Sequence, residues 1–403
     1  MMPLSVLFLQ GPASPFFREL SWAMRRRGHQ TLRVNFCGGD LVYGDRGTRY
    51  SNYMGAIERL PEWYRRMLES EAPTDIVMFG DCRPVHAPIH DIARERHVRV
   101  HVFEEGYVRP NWITFETGGV NGRSALSRDP AFLLSSSESV PPAPLSAPTG
   151  YNLRERALHD ICYRIANGAY AWRFATYRSH RPYNGITEYA ALASRFARKS
   201  RFEREADNLT GQLLQSGKPY FLFPLQLNTD SQITHHSAFG SMLNAIEVVL
   251  ESFALHAPPD HLLVVKNHPL DTGIACYGQV IEQLARKHGI SSRLRFLNGG
   301  HLPTLLAHAK GVVVVNSTVG LSALHHGRPL IALGSAIYGI PGLTWQGSVD
   351  TFWTGATAPD MHLYQLFLNY VLYKTQINGD FYTKSGIRMA IPAVIDRLEA
   401  QAT

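Results

Sequence analysis

The 403-residue sequence predicts an α/β protein with two parallel sheets, each covered on both faces by helices. Two observations carry this. Short, continuous apolar runs alternate with helix-patterned stretches in two separate series, which is how strands buried on both faces read. Polar or charged residues follow those runs, at the carboxyl edge where open parallel sheets bind their ligands.

The first series opens with VLFLQG (Val6–Gly11) as a buried strand. After Pro15 comes the helix-like FFRELSWAMRRRG, then the strand TLRVNF (Thr31–Phe36), a β-α-β start. DIVMFG (Asp75–Gly80) leads to a helix near Val85–Arg96, and RVHVFEEG sets Glu104 and Glu105 at a strand's end. Asn35, Asp81 and Glu105 all fall at this edge. SSSESVPPAPLSAPTG (Ser135–Gly150) is rich in serine and proline and reads as a linker. A helical, basic and aromatic stretch follows from Tyr151 to about Asp207.

The second series starts at PYFLFPLQ (Pro219–Gln226) and passes through a helix from about Ser237 to His256 to the strand HLLVVKNHP. A helix near Tyr277–His288, the strand RLRFLN, a short helix, the strand GVVVVNST and the strand PLIALG complete it. The end of the chain is helical in pattern, with Pro392 at a helix start or kink. The expected organisation is therefore an N-terminal domain (1–150), a helical connection (151–210), a second α/β domain (211–358) and C-terminal helices (359–403) that pack back on the first domain.

With 45% hydrophobic and 18% charged residues the composition is that of an ordinary globular chain, long enough for two cores. The first ten residues have no basic flank or cleavage site of a secretory signal, and no run approaches the roughly 20 apolar residues of a membrane span. Four scattered cysteines, Cys37, Cys82, Cys162 and Cys276, fit a reducing compartment and neither a zinc site nor a disulfide framework. The net charge of +7 favours an anionic partner: a nucleotide, an acidic lipid surface or nucleic acid.

Four groups of residues are candidates for chemistry. In KNHP (Lys266–Pro269), Lys266 and His268 follow a strand, where an ammonium and an imidazole donor neutralise a phosphate; the same spacing suits a turn of solvated polar residues. In VVVVNSTVG, Asn316, Ser317 and Thr318 form a turn before a helix, and hydroxyls with free backbone N–H groups there make an anion site or a plain N-cap. Because both segments end strands of one domain, a joint phosphate site is favoured. In FEEGYVRP (Phe103–Pro110), Glu104 and Glu105 point to opposite sides, so one faces a cleft as a general acid or base and the other is structural; capping a helix or pairing with Arg109 is the alternative. In QLNTDSQITHHS (Gln226–Ser237), Asp230 is a carboxylate nucleophile for glycosyl transfer or a helix N-cap, with Gln226 beside it. His235 and His236 lack a third metal ligand at a recognisable spacing. The chain also lacks a GxxxxGK[ST] loop and a DxD-type motif, so phosphoryl transfer and metal-dependent sugar transfer are disfavoured and no metal is expected.

These segments, together with RSHRPYNG and YGIPGLTWQGSVDTFW (Tyr338–Trp353), resemble the capsule polysaccharide synthesis proteins of the KpsS/LipB type, which are β-Kdo transferases. The resemblance spans nearly the whole chain. It implies a GT-B-like enzyme, two Rossmann-like domains facing across a cleft, that takes Kdo, a 3-deoxy acidic ketose, from CMP-β-Kdo with retention and without a cofactor. It assigns Asp230 as nucleophile, Glu105 as acid/base group with Glu104 as the alternative, and His268 to the CMP phosphate. Lys266, Asn316, Ser317, Thr318, Gln226 and Arg109 would bind substrate. It further implies a phosphatidylglycerol-type lipid acceptor, the start of a poly-Kdo linker, and a cytoplasmic protein peripheral on the inner membrane face, with other capsule assembly proteins as partners and no nucleic acid. A sialyltransferase-like CMP-sugar enzyme and a non-catalytic assembly or export component are the rival readings.

Arg173, Arg178, Arg181, Arg195, Arg198, Lys199 and Arg201, interleaved with Trp172, Phe174, Tyr177 and Phe196, form either a basic surface for anionic lipid or the solvated face of a helical bundle. Each charge near a membrane would contribute about 1 kcal/mol.

Overall fold

The computed structural model describes residues 3–45, 47–136, 140–179, 185–227, 233 and 237–402, the side chain of Ile186 excepted. Asp230, His235, His236 and Arg181 lie outside the described residues.

The first series of elements is β1 (Ser5–Phe8), α1 (Phe16–Arg26), β2 (Gln30–Asn35), α2 (Gly38–Val42), β3 (Arg49–Asn52), α3 (Leu60–Glu71), β4 (Asp75–Phe79), α4 (Ile89–Glu95), β5 (Arg99–Glu105) and β6 (Trp112–Thr117). The helices α5 (Pro130–Ser135), α6 (Leu153–Ala169), α7 (Gly185–Ala197) and α8 (Lys199–Gln215) follow. The second series is β7 (Tyr220–Pro224), α9 (Met242–His256), β8 (Leu262–Lys266), α10 (Tyr277–Lys287), β9 (Leu294–Leu297), α11 (Leu302–His308), β10 (Gly311–Val314), α12 (Val319–His325), β11 (Leu330–Ala332) and α13 (Val349–Gly355). The chain closes with α14 (Met361–Thr375), β12 (Gln376–Asn378) and α15 (Lys384–Ala400).

Two compact units result, one of residues 1–126, 142–180 and 371–403, the other of residues 127–141 and 181–370. The stretch 135–150 is thus divided between them. Its second part is tied down in the first unit, where the carbonyl of the buried Thr149 accepts from the hydroxyls of Thr383 and Ser385. The stretch 151–210 is also divided, α6 belonging to the first unit and α7 and α8 to the second.

The sheet of the first unit runs β12-β6-β5-β4-β1-β2-β3. Strands β1 to β5 are parallel, and β1, β4 and β5 show the buried apolar runs of such a sheet. β6 returns antiparallel to β5, and β12 pairs antiparallel with β6. The sheet is mixed because the few residues between Glu105 and Trp112 permit a hairpin, whereas a parallel return takes a dozen or more. One face carries Leu7, Met78 and Val102 against Leu60, Tyr64 and Ile89, and the other carries Phe8, Val77 and Phe103 against α1 and α15. In α1, Phe16, Phe17, Leu20 and Met24 make one buried stripe at helical spacing. Gly28, at φ +90, lies just past the helix end, a backbone state only glycine adopts without cost. The C-terminal segment completes this core: Phe381, Ile387, Val394 and Leu398 pack on the α1 side, and Arg27 pairs with Asp396 and Glu399. Pro392 stands inside α15 and not at its start.

The sheet of the second unit is β11-β10-β7-β8-β9, parallel throughout. Phe221, Val265 and Val313 pack with Ile246, Phe253, Ile281 and Trp353, whose indole donates to Ser252 Oγ at 2.8 Å.

Strand order reverses between β1 and β4 in the first unit and between β7 and β10 in the second. At such a reversal the connections leave to opposite sides and open a crevice at the carboxyl ends. Each unit therefore has one place where its topology provides a site.

Candidate functional site

In the second unit the reversal brings Gln226 and Asn316 together. The Gln226 amide donates to Asn316 Oδ1 at 3.3 Å and accepts the Asn316 backbone N–H at 3.2 Å. Gln226 is buried and both ends of its amide are used on Asn316, so it ties two strand ends rather than presenting a group to a ligand.

One strand further, KNHP follows β8. Lys266 is buried, which lowers its pKa; the Glu203 carboxylate draws it up and the Arg195 guanidinium pushes it down. Among the described residues its ammonium has no hydrogen-bonded acceptor, so it is a desolvated cation at a ligand-binding edge. Asn267 shapes the turn: its Nδ2 donates to Asp271 at 3.0 Å and Asn298 at 3.1 Å, and its Oδ1 accepts the His268 N–H at 2.8 Å. His268 Nδ1 accepts the Leu270 N–H at 3.1 Å. An accepting Nδ1 carries no proton, so in the neutral ring the N–H is on Nε2.

Arg195 was expected on a basic exterior stripe. The structure buries it and spends its guanidinium on backbone: Nε donates to the Pro269 carbonyl at 3.1 Å, and Nη2 to those of His268 at 3.1 Å and Asn298 at 3.0 Å. A planar fork of donors suits three converging carbonyls. Of the remaining stripe, Phe174 is buried and Tyr177 hydrogen-bonds Gln10 in the first unit, while Phe196, Arg198, Lys199 and Arg201 are exposed in the second. The stripe is not one surface element.

NSTVG differs from its expected form as a nest of free N–H groups. Ser317 Oγ accepts the Val319 N–H at 3.2 Å, the Ser317 carbonyl accepts that of Gly320 at 2.9 Å, and the Thr318 carbonyl accepts that of Leu321 at 3.1 Å. The hydroxyls of Ser317 and Thr318, both half-buried, are what this turn offers. Tyr338, from the YGIPG run, fixes it from beneath: its hydroxyl donates to the Ser317 carbonyl, and its ring occupies the space a Cβ on Gly320 would need, 2.3 Å away.

In the first unit Glu104 and Glu105 end β5 and diverge as strand alternation requires. Glu105 Oε1 accepts the Tyr382 hydroxyl at 2.9 Å and pairs with Arg156 at 3.1 Å, and the Arg156 guanidinium lies 5.0 Å from the Tyr382 ring centre. The partner of Glu105 is thus Arg156 of α6. Arg109 is exposed, its Nε donating to the Gly106 carbonyl at 3.2 Å. Glu104 takes the other side: one oxygen accepts the Glu105 N–H at 3.0 Å, the other lies 3.6 Å from the Cβ position at Gly80. Arg83 Nε reaches the same place at 3.7 Å, and its Nη1 donates to Gln10 Oε1 at 3.1 Å and the Gly11 carbonyl at 2.9 Å. Glu104 therefore stands with Gln10 and Arg83 beside the β1/β4 reversal. Asp81 is buried, accepting the Val120 N–H at 3.4 Å.

Among the described residues no three His, Cys, Asp or Glu side chains are arranged to hold a metal ion, and no helix is long and apolar enough to cross a membrane.

Residues 74–382 match the capsule polysaccharide biosynthesis protein family. The chain belongs to that family. It is 36% identical to the capsule polysaccharide export protein KpsS of Escherichia coli over 381 residues, 93% of this chain and 96% of KpsS. It is 33% identical to the capsule polysaccharide modification protein LipB of Neisseria meningitidis serogroup B over 386 residues, 94% of this chain and 92% of LipB. Among solved structures, the β-Kdo 2,7 transferase KpsC of Thermosulfurimonas dismutans aligns over 97% of this chain and 99% of its own with a TM-score of 0.45 and 12% identity. In this capsule biosynthesis protein the family match runs from the start of β4 to Tyr382. It therefore contains Glu104, Arg83, the strand ends of the second unit and the tyrosine that holds Glu105.

The sequence alone did not reveal Arg195, Asn267, Tyr338, Arg83 or the Arg156–Tyr382 clamp. Asn267 lies within KNHP, Tyr338 within the YGIPG run and Arg195 within the basic stripe, but none of these patterns shows what the side chain holds.

Proposed function

We propose that this protein is a glycosyltransferase of capsule polysaccharide biosynthesis that transfers Kdo from CMP-β-Kdo to a phosphatidylglycerol-type lipid acceptor with retention, starting a poly-Kdo linker at the inner face of the cytoplasmic membrane. The observation that carries the reading is the strand-end site of the second unit. There a desolvated Lys266 and the His268 ring at the end of β8, and the Ser317 and Thr318 hydroxyls at the end of β10, stand at carboxyl strand ends on either side of β7, a set of groups suited to a nucleoside monophosphate. Membership of a capsule polysaccharide biosynthesis family supplies the biological context.

In the proposed reaction the Asp230 carboxylate attacks C2 of Kdo. The bond from C2 to the phosphate oxygen breaks, and CMP leaves with the electron pair, stabilised by Lys266 and His268. The acceptor hydroxyl then attacks C2, displacing Asp230 and giving its proton to a carboxylate. Glu104 is the candidate for that base by position, because it stands beside Arg83 at the β1/β4 reversal, whereas Glu105 turns to Arg156 and Tyr382.

Incubation with CMP-Kdo or CMP-sialic acid and a phosphatidylglycerol-type acceptor, with CMP release and intact-protein mass as readouts, tests this. The expected result is CMP release from CMP-Kdo alone and a mass gain of one Kdo that is missing in Asp230→Ala. Absence of CMP release from CMP-Kdo would sink the reading, and release from CMP-sialic acid would transfer it to the sialyltransferase-like rival. The description of KpsS as an export protein favours a second reading, a non-catalytic component that binds finished glycolipid. Such a component would support capsule formation unchanged with Asp230→Ala and Glu104→Gln.

A further inference from the structure

Helix α6 holds the first unit with one side and leaves the other bare. On the inner side Tyr163 donates to Asp40 Oδ1 at 2.7 Å, Asn167 Oδ1 accepts the Gly39 N–H at 2.7 Å, and His159 Nδ1 meets the Tyr43 hydroxyl at 2.7 Å. Gly38 is pressed so close to the Ala166 carbonyl that a Cβ would lie 2.1 Å from it. This seating fixes the helix rotation. Opposite it, Leu158, Ile161 and Ile165 recur at spacings of three and four and form one stripe, 60%, 39% and 66% exposed. Three residues beyond the helix end Trp172 is 77% exposed.

Exposing three branched aliphatic side chains and a tryptophan on one helix face costs free energy that a solvated bundle face would avoid by polar substitution. The cations bordering the stripe decide what covers it. Arg154 stands one turn before Leu158 on the same side, and Arg173 and Arg178 follow Trp172 in the chain. Among the described residues none of these three arginines has a carboxylate partner. Arg164 and Arg156, on the inner side, are paired with Asp160 and Glu105. A basic rim around aliphatic residues with tryptophan at the end matches an interface whose polar layer is anionic and whose interior is hydrocarbon, where tryptophan is favoured.

We infer that the outer face of α6 with Trp172 is the surface by which this protein lies on an anionic lipid bilayer. Leu158, Ile161 and Ile165 enter the acyl boundary and Arg154, Arg173 and Arg178 meet headgroup phosphates. The inference rests on the proposed lipid acceptor for its purpose, not for its geometry.

The test uses the full chain with phosphatidylglycerol and phosphatidylcholine vesicles, the paired variant Leu158→Glu/Ile165→Glu, and Trp172→Phe. Both glutamates replace exposed side chains, so folding should be unchanged by circular dichroism. Wild type should co-sediment with phosphatidylglycerol vesicles and not with phosphatidylcholine, with a blue shift of tryptophan emission that Trp172→Phe abolishes. The paired variant should bind about tenfold or more weakly, since it removes two apolar anchors and adds two like charges. CMP release with a short-chain, water-soluble acceptor should be the same in both proteins, so failure of the transferase reading and failure of this surface give different results. Equal vesicle binding by the paired variant would overturn the inference. So would no vesicle binding by wild type together with a dimer that the paired variant dissociates, because a second copy would then cover the face.

Discussion

Arg156 pairs with Glu105 at 3.1 Å while the Tyr382 hydroxyl donates to the same carboxylate oxygen at 2.9 Å. The three residues come from α6, the end of β5 and the segment before α15, so this contact joins three parts of the first unit. Glu105 is thereby held on the side of α6 and Tyr382, and Glu104 lies on the side of Gly80 and Arg83.

Glu104→Gln and Glu105→Gln should therefore separate chemistry from structure. Glu104→Gln is expected to lower kcat for CMP release to acceptor by about 100-fold with little change in Tm. Glu105→Gln keeps an acceptor for Tyr382 and loses only a partly exposed ion pair, so it should cost about 1 kcal/mol of stability or less and retain most of kcat. Steady-state kinetics and a thermal melt of both proteins decide the matter; a 100-fold loss confined to Glu105→Gln would return the acid/base role to Glu105.

The positions of these carboxylates were legible in the sequence because an apolar run followed by a polar turn marks the end of a buried strand wherever it occurs. Their division of labour was not. Alternation says that Glu104 and Glu105 diverge, but the partner that decides between them, Tyr382, is 277 residues away. The antiparallel β6 escaped for a related reason: WITFET carries the same apolar signal as a parallel strand, and only the shortness of the preceding loop sets its direction. Arg195 shows the limit most clearly. It sits among exposed basic residues in the sequence, and its partners are backbone carbonyls, which no side-chain pattern encodes.

Arg195 donates to the His268, Pro269 and Asn298 carbonyls, and its replacement should report whether the turn it holds serves donor binding. Arg195→Lys can reach about one of the three carbonyls, so the turn loses donors worth about 1–3 kcal/mol. Donor KM is expected to rise about tenfold with kcat falling less, because a loosened turn weakens phosphate binding before it alters bond breaking. A purely structural role would lower Tm and leave the KM of the folded fraction unchanged.

Lys266 predicts a pH dependence with a definite sign. Burial lowers its pKa below the usual 10.5, so the folded chain releases this proton at lower pH than the unfolded chain. Between the lowered pKa and 10.5 the unfolded state binds more protons, and the stability of the ligand-free protein gains from this group as pH rises. A bound phosphate favours the ammonium and reverses the trend for binding: CMP affinity should fall as pH rises through the same window, with proton uptake on binding. Calorimetry in buffers of different ionisation enthalpy measures that uptake. Lys266→Met should bind CMP more weakly and without it; an equal proton uptake in Lys266→Met would remove the residue from the phosphate site.

Glu116 offers the complementary case, away from both strand-end sites' candidate catalytic groups. It lies on β6, buried, where its carboxyl accepts the Tyr107 hydroxyl at 2.7 Å and the Ser124 hydroxyl. Burial pushes its pKa up to about 7, the two hydroxyls pull it down and the Asp81 charge adds to the rise. A carboxyl raised from 4.5 binds more protons folded than unfolded between those values, so stability is fully present below about 4.5 and is lost as pH rises through 7. Glu116→Gln keeps a neutral group of the same shape beside Tyr107 and Ser124 at every pH. The variant should melt close to wild type near pH 5 and, above pH 7, be more stable by up to about 3 kcal/mol, the free energy of that shift. Denaturant titrations across this range measure the difference. A constant offset between the two proteins from pH 5 to 8 would mean that the Glu116 carboxyl titrates no differently in the folded protein than in the unfolded chain.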